Sequence, residues 1–545
     1  MTALGFAAYG AAATAIDHHL PNMIEQQLAS RLMQRQDPTL WGPAAVPEAS
    51  KRLGWTQPFA DAYKALEEAE SFAAEIAEDG FTHVILAGMG GSSLAPELIA
   101  ADANVDTLTV LDSTDPAHVA RVLDRDLSTT LMVVASKSGA TAETDSQRRA
   151  FLQACLDAGL DAPKHVVIVT DPGSPLAQAA KDEGYRKIFY GDPDIGGRFS
   201  ALSAFGIVPT VLAGINTRAV IDDAAAIADL LAADDKDNMA MQLAAALAGT
   251  EPLRDKLIFI NHGTAQSPVL PGFGSWIEQL IAESTGKNGY GLLPVPAGPA
   301  DYEANHALVD TLRIHLLSED DDYSLAAGQD AIALYGPLGA QFFLWEAATS
   351  LACTFAHVNP FDQPDVESAK VAARKLLATE LSTPQPRYVE GSIAQLPSCP
   401  FDTADNLKDA LRQLTAAVKD TGYLSIQAYL DREADTALED IRNQLAQNLA
   451  RPVTFGWGPR FLHSTGQYHK GGPANGVFLQ LTTTDQPELA IPGRSFGFGQ
   501  LIQAQADGDA SVLAGHRLPV LRLSLTDRIR GIEQLKELVA SLKAV

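Results

Sequence analysis

The chain has 545 residues, 46% of them hydrophobic and 20% charged, with a formal net charge of −27. This length exceeds what a single core organises, so about three domains are expected. The acid excess excludes a basic nucleic-acid face and requires any phosphate ligand to be held by local donors: backbone N–H groups, hydroxyls and a few placed cations.

The first 50 residues read as helical arms, with helical periodicity over 24–33 broken at Asp37-Pro38 and Gly42-Pro43. The Ala-rich opening lacks a basic leading segment and is not read as a signal peptide. An Ala/Glu-rich helix over 59–78 leads into a strand at 82–87, and strand-like runs follow at 108–111, 131–135, 165–169 and 187–190. Strands alternating with helices at this spacing predict a doubly wound parallel sheet. A second unit starts near Ala219, with strands at 256–260, 291–295 and 312–316 and helices at 338–354 and 365–379. Residues 380–400 are rich in Pro and Ser and read as a linker. The tail, 401–545, holds helices, strands at 476–482 and 520–525, and a closing helix at 532–542. The expected class is therefore α/β: two doubly wound parallel-sheet units, each three-layered (αβα), plus a C-terminal α/β extension. The boundaries are 1–55 (helical arm), 56–215, 216–385 and 386–545. No apolar run is long enough to cross a bilayer. Cys155, Cys353 and Cys399 lie far apart, which suits a reducing compartment. The 12 histidines form no HExxH pattern, so no metal site is announced.

Two loops carry the first chemical signal. In LAGMGGSSLAPEL (86–98) a strand runs through Gly88, Gly90, Gly91, Ser92 and Ser93 into a helix. Glycines allow close backbone approach to an anion, and the helix start offers free N–H groups. A plain strand–helix turn also fits. So does a dinucleotide loop, with Asp112 ending the next strand, although Ser93 stands where the third glycine of that fingerprint belongs. In VVASKSGATAET (133–144) Ser136, Lys137, Ser138 and Thr141 end a buried strand. They form either a phosphate cup or an N-capping cluster in which Thr141, Glu143 and Thr144 start the helix. Both loops open on one sheet edge, which favours the cup.

The pair resembles the phosphate site of sugar-isomerase (SIS) domains. Three further segments are similar to signatures of the glucose-6-phosphate isomerase family: DPDIGGRFSALSAFG (192–206), IEQLIAESTGK (277–287) and NPFDQPDVESAK (359–370). The likeness spans about residues 80–375. The tail segment GPRFLHSTGQYHKGGP (458–473) resembles the isomerase half of fused transaldolase–isomerase proteins; with only about 80 residues before the first glycine-rich loop, no transaldolase barrel is expected ahead of it in this sequence.

The residues themselves support matching roles. Gln279 and Glu283, four apart, share a helix face. An acid in an apolar stretch is a candidate general base, because partial burial raises its pKa; a solvated carboxylate is the alternative. Arg198, between glycines and Phe-Ser, can stabilise an enediolate or belong to a structural ion pair. Asp362 is expected to cap the helix that Pro364 opens, with Gln363, Glu367 and Lys370 on one face. Glu367 can pair with Lys370, whereas the resemblance gives Lys370 a part in opening the sugar ring beside Gln363. The family's ring-opening histidine lies in a stretch like GTNGQH, where this chain reads GPLGAQFF (336–343). His463 and His469 are the substitutes, with His469 preferred, and Lys470 is given no role.

The resemblance implies a cytoplasmic homodimer, without metal or other cofactor, that isomerises a sugar phosphate between glucose and fructose forms. The catalytic set is Glu283, Lys370, Arg198, His469 and His463; the binding set is Gly91, Ser92, Ser136, Lys137, Ser138, Thr141, Gln279 and Gln363. Isomerisation of another anionic hexose (a mannose phosphate or a sulfonated sugar) and non-catalytic sugar-phosphate sensing are the alternatives, with a dehydrogenase third. No nucleic-acid or membrane partner is expected.

Overall fold

A computed structural model of the chain describes residues 4–542 apart from 265–266, 320, 378–384 and 399. The N-terminal segment opens with a strand, β1 (Gly5–Tyr9), before helices at Ala11–Glu25 and Leu28–Met33. This corrects the expectation of purely helical arms. β1 pairs antiparallel with β12 (Ala331–Tyr335), which would otherwise be a bare sheet edge, and GFAAY carries no local pattern announcing so distant a partner. Gln27, in the left-handed region at φ 55°, splits the helical stretch expected over 24–33.

The first sheet consists of β2 (His83–Gly88), β3 (Leu108–Leu111), β4 (Thr130–Ala135), β5 (Val166–Thr170) and β6 (Lys187–Tyr190). All pairs are parallel, in the order β3-β2-β4-β5-β6. Val84, Leu86, Val133 and Val167 face one core; Ile85, Ala87, Met132 and Ile168 face another. Strands covered on both faces read as continuous apolar runs, which is why this unit is legible in the sequence. The order reverses between β2 and β4, and the crevice at their carboxyl ends is where such sheets bind ligands.

The second sheet contains β7 (Lys256–Asn261), β10 (Leu293–Ala297), β11 (Thr311–Leu316) and β12. These are parallel in the order β10-β7-β11-β12, with β1 on the edge. A two-residue ladder, β8 (Gly263–Thr264) with β9 (Ser267–Pro268), follows β7. The core between the first two sheets is shared: Leu257, Phe259, Leu312 and Ile314 belong to the same apolar cluster as Val84 and Val133.

The third sheet holds β13 (Tyr388–Glu390), β14 (Ile393–Gln395), β15 (Tyr423–Ala428), β16 (Val453–Trp457), β17 (Gly476–Thr483) and β18 (Val520–Leu525). Their order is β13-β14-β18-β17-β15-β16. β16, β15, β17 and β18 are parallel, and β14 and β13 continue antiparallel. β13 and β14 lie inside the stretch read as a linker, whose residues 380–384 and 399 are outside the described residues, as is Thr379. Ile258, Ile260, Leu293 and Val295 of the second sheet pack with Tyr423, Tyr468, Phe478 and Val520 of the tail. Among the described residues, no helix is long and apolar enough to cross a membrane.

Candidate active site

Both hydroxyl-bearing loops leave the first sheet where its strand order reverses. β2 runs into the short turn Gly90–Ser92 and then the helix Leu94–Asp102; β4 runs through Ser136–Thr141 into the helix Ala142–Asp157. Thr141 occupies the N-cap position of that helix, but its side chain makes no capping hydrogen bond. Its Oγ1 instead lies 3.0 Å from Ser136 Oγ, so the capping alternative does not account for these hydroxyls. Ser138 is exposed and Ser92 half-buried at the same edge. Lys137 departs from the expected cup. Its Nζ lies 2.8 Å from Asp171 Oδ2 and donates to the Asp192 carbonyl at 2.9 Å, so it ties this loop to the segment leading to Arg198. Desolvation nonetheless draws its pKa below the ordinary lysine value, against the pull of Asp171.

Gly91 is where the first loop meets the Arg198 turn (Gly197–Phe199). A Cβ at Gly91 would stand 1.8 Å from the Gly197 carbonyl oxygen, a backbone-to-backbone approach that only glycine allows. Arg198 is buried. Its Nη2 donates to the carbonyls of Phe361 and Asp362, both at 3.1 Å, and to Gln363 Oε1 at 2.7 Å. Its Nε lies 3.8 Å from Glu283 Oε2, and Nη1 is buried with no hydrogen-bond partner among the described residues. The helix Phe273–Thr285 aligns Gln279 and Glu283 as their spacing predicts. Gln279 Nε2 donates to Glu283 Oε2 at 3.1 Å and to the His463 carbonyl at 2.8 Å. Glu283 is 8% exposed: a nearly buried carboxylate beside a buried cation that still has a free donor.

On the other side of His463 lies a cleft lined by Ser138, Thr141, Glu143, Lys370, His463 and Gln505. Lys370 sits on the helix Pro364–Leu377. Glu367 pairs with Arg374 at 3.2 Å rather than with Lys370. The expected cap is also corrected: the Asp362 carboxylate is held by Lys287 at 2.9 Å, and the first free amides of the Lys370 helix go to Gln467.

The two histidines lie in different surroundings. His463 Nε2 is 3.0 Å from Glu143 Oε1 beside the hydroxyl cup. His469 is buried against the third sheet, 2.8 Å from the Tyr423 hydroxyl and 3.4 Å from Ser425 Oγ. Burial, with the charge of Lys470, pulls its pKa down to about 3. Lys470 is itself buried in a pair with Asp509 at 2.6 Å.

Glu143 is the residue the sequence concealed, because a carboxylate in a first helical turn reads as a cap partner or surface charge. Its Oε1 also accepts from Gln505 Nε2 at 2.8 Å, and Gln505 Oε1 accepts from Thr114 at 2.6 Å. Burial by itself would raise the Glu143 carboxyl. The charge and hydrogen bond of His463, a helix amide and Lys370 outweigh it and bring the pKa from its ordinary 4.5 down to about 2. The tail also claims the acid a dinucleotide reading would use: Asp112 lies 3.2 Å from Arg432 and 3.1 Å from Arg460, and both arginines also bind Glu97.

Against known proteins, the phosphoglucose isomerase family model matches residues 27–288, a span that includes both loops, Arg198 and Glu283. The glucose-6-phosphate isomerase of Acaryochloris marina is 32% identical over 401 residues, 62% of this chain and 73% of that protein. A hypothetical protein of Thermus thermophilus superposes with a TM-score of 0.55 at 26% identity, over 67% of this chain and 97% of that one. The glucose-6-phosphate isomerase of Chlamydia trachomatis shares the fold, with a TM-score of 0.52 at 20% identity over 68% and 85%.

Proposed function

The chain belongs to the phosphoglucose isomerase family, and from that premise we propose that it is an aldose–ketose isomerase interconverting glucose 6-phosphate and fructose 6-phosphate through a cis-enediol. The observation that carries the proposal is the buried Glu283 carboxylate, 3.8 Å from Arg198 and beside the glycine- and hydroxyl-lined edge of the first sheet. In this reading the hydroxyls of Ser92, Ser136, Ser138 and Thr141, with backbone N–H groups, hold the phosphate. Lys370 and His463 transfer the proton that breaks the ring C–O bond. Glu283 removes the proton from carbon 2 and delivers it to carbon 1, while Arg198, through its unpartnered Nη1, stabilises the charge on the enediol oxygens. Gln279 orients the base and Gln363 the guanidinium. Glu143 fixes the ring of His463 as a carboxylate orients a catalytic imidazole. Lys137 braces the loop and does not grip the phosphate.

A cytoplasmic homodimer working without a cofactor belongs to the same reading on family likeness alone, and sedimentation tests the dimer. The deciding experiment is turnover of fructose 6-phosphate with chelator present and nothing added, beside a panel of other anionic hexoses. Formation of glucose 6-phosphate as the preferred product is expected. Turnover of a different sugar, with none of fructose 6-phosphate, would replace the substrate assignment.

A further inference from the structure

Gln467 lies in the tail, on the short helix Gly466–Gly471, and is fully buried. Its carboxamide is wholly engaged with the two helices that carry Glu283 and Lys370. Nε2 donates to the Gly286 carbonyl at 2.9 Å, just beyond the end of the Glu283 helix, and to Asp365 Oδ2 at 2.6 Å. Oε1 accepts from the backbone amides of Asp365 at 3.0 Å and Val366 at 3.3 Å, in the first turn of the Lys370 helix. A carboxamide has two donor hydrogens and two acceptor lone pairs, so its capacity is used in full. The first-turn amides of a helix need an outside acceptor, and this one comes from the third unit, not from the residues preceding the helix.

We propose that Gln467 is a positioning residue: by joining the end of the Glu283 helix to the start of the Lys370 helix, it sets the distance between the proton-transfer base and the ring-opening lysine. The proposal rests on the roles given to Glu283 and Lys370 above. A second observation supports it. Gln467's helix is held from behind by the buried Lys470–Asp509 pair. Asp509 belongs to the helix Phe498–Gly515, which packs along the Lys370 helix; a Cβ on its Gly508 would stand 2.9 Å from the Ala373 nitrogen. The tail thus holds the Lys370 helix both at its first turn and along its side.

Two variants test this. Gln467→Met keeps length and burial and removes all four bonds. Gln467→Glu keeps an acceptor for the two amides, so the helix start stays capped, and removes the donors to Gly286 and Asp365. A misplacement of 1 Å costs on the order of a hundredfold in rate. The expectation is therefore a fall in kcat of about ten- to a hundredfold, with KM for fructose 6-phosphate within about threefold of the parent, because the phosphate grip on the first sheet is untouched. If Gln467→Met fails to fold, Gln467→Glu decides. A kcat within about threefold of the parent overturns the proposal, as does a fall that only tracks the unfolded fraction measured by circular dichroism. Glu283→Gln and Lys370→Met are measured in the same assay. If they retain parental turnover, the site reading fails and the proposal falls with it; if they are inactive while the Gln467 variants turn over normally, only the positioning role is lost.

Discussion

The first and third sheets are wound alike, each with its order reversing beside its first-entered parallel strand, β2 in one and β15 in the other, yet they treat the carboxyl edge in opposite ways. The first sheet ends there in glycine- and hydroxyl-bearing loops, packed closely at Gly90 and Gly91 but with Ser138 exposed and Ser92 half-buried. The third sheet covers its edge with loops and sends them into the first unit. Arg432, from the loop after β15, and Arg460, after β16, close on Glu97 and Asp112 of the first unit. Burial would raise Glu97, but the two guanidiniums outweigh it and hold its carboxyl down at about 2. Three residues beyond Arg460, the same loop delivers His463 to Glu143. One sheet ends in hydroxyl-bearing loops and the other sends a histidine to them, so winding order alone does not say what an edge is for.

The sharpest way to break this comparison is at the shared centre. Glu283→Gln is expected to lower turnover by about a hundred- to ten-thousandfold with KM nearly unchanged; near-parental turnover would remove the chemistry from the edge of the first sheet. Next comes the tail's contribution. His463→Gln should lower kcat by about a hundredfold, within the range for a general acid–base group, whereas His469→Gln should leave kcat near the parental value and lower the melting temperature, because it loses buried hydrogen bonds. The reverse ranking would give the tail sheet a functional edge of its own. Gly508→Val probes the bracing of the Lys370 helix. Overpacking costs about 1–3 kcal/mol, so a lower melting temperature with reduced kcat and unchanged phosphate affinity is expected.

The smallest effect concerns acid stability. Glu143 has a folded pKa of about 2, below its ordinary 4.5. Its contribution is therefore present above the ordinary value and lost as pH falls toward the folded one. The difference in melting temperature between the parent and Glu143→Gln should shrink as pH falls from the ordinary 4.5 toward about 2. A difference that persists unchanged to about pH 3 would mean that the Glu143–His463 pair is not what stabilises that contact.

Much of the fold is legible in the chain. Runs such as VVIVT and LMVVA are apolar on both faces, and only a covered parallel strand or a buried helix accepts that. β15 and β16 are harder to read, because YLSIQA and VTFGW place Ser425, Gln427 and Thr454 at buried positions, and polar residues there break the signal that marks a core strand. In the site, the Gln279–Glu283 pair follows directly from helical spacing. The inward turn of Lys137, the burial of Glu143 and the four bonds of Gln467 have no local counterpart.

By itself, then, the sequence determined which segments are strands of the first sheet, which loops carry hydroxyls at their ends, and that one carboxylate shares a helix face with one carboxamide. These follow from backbone periodicity and from the nature of neighbouring side chains. Only the tertiary structure decided that His463 and not His469 faces the cup, that Lys137 is taken by Asp171, and that the Lys370 helix is capped from the tail. The reason is physical: a buried polar group must find a partner, and here those partners lie in segments remote along the chain, brought close only when the three sheets pack.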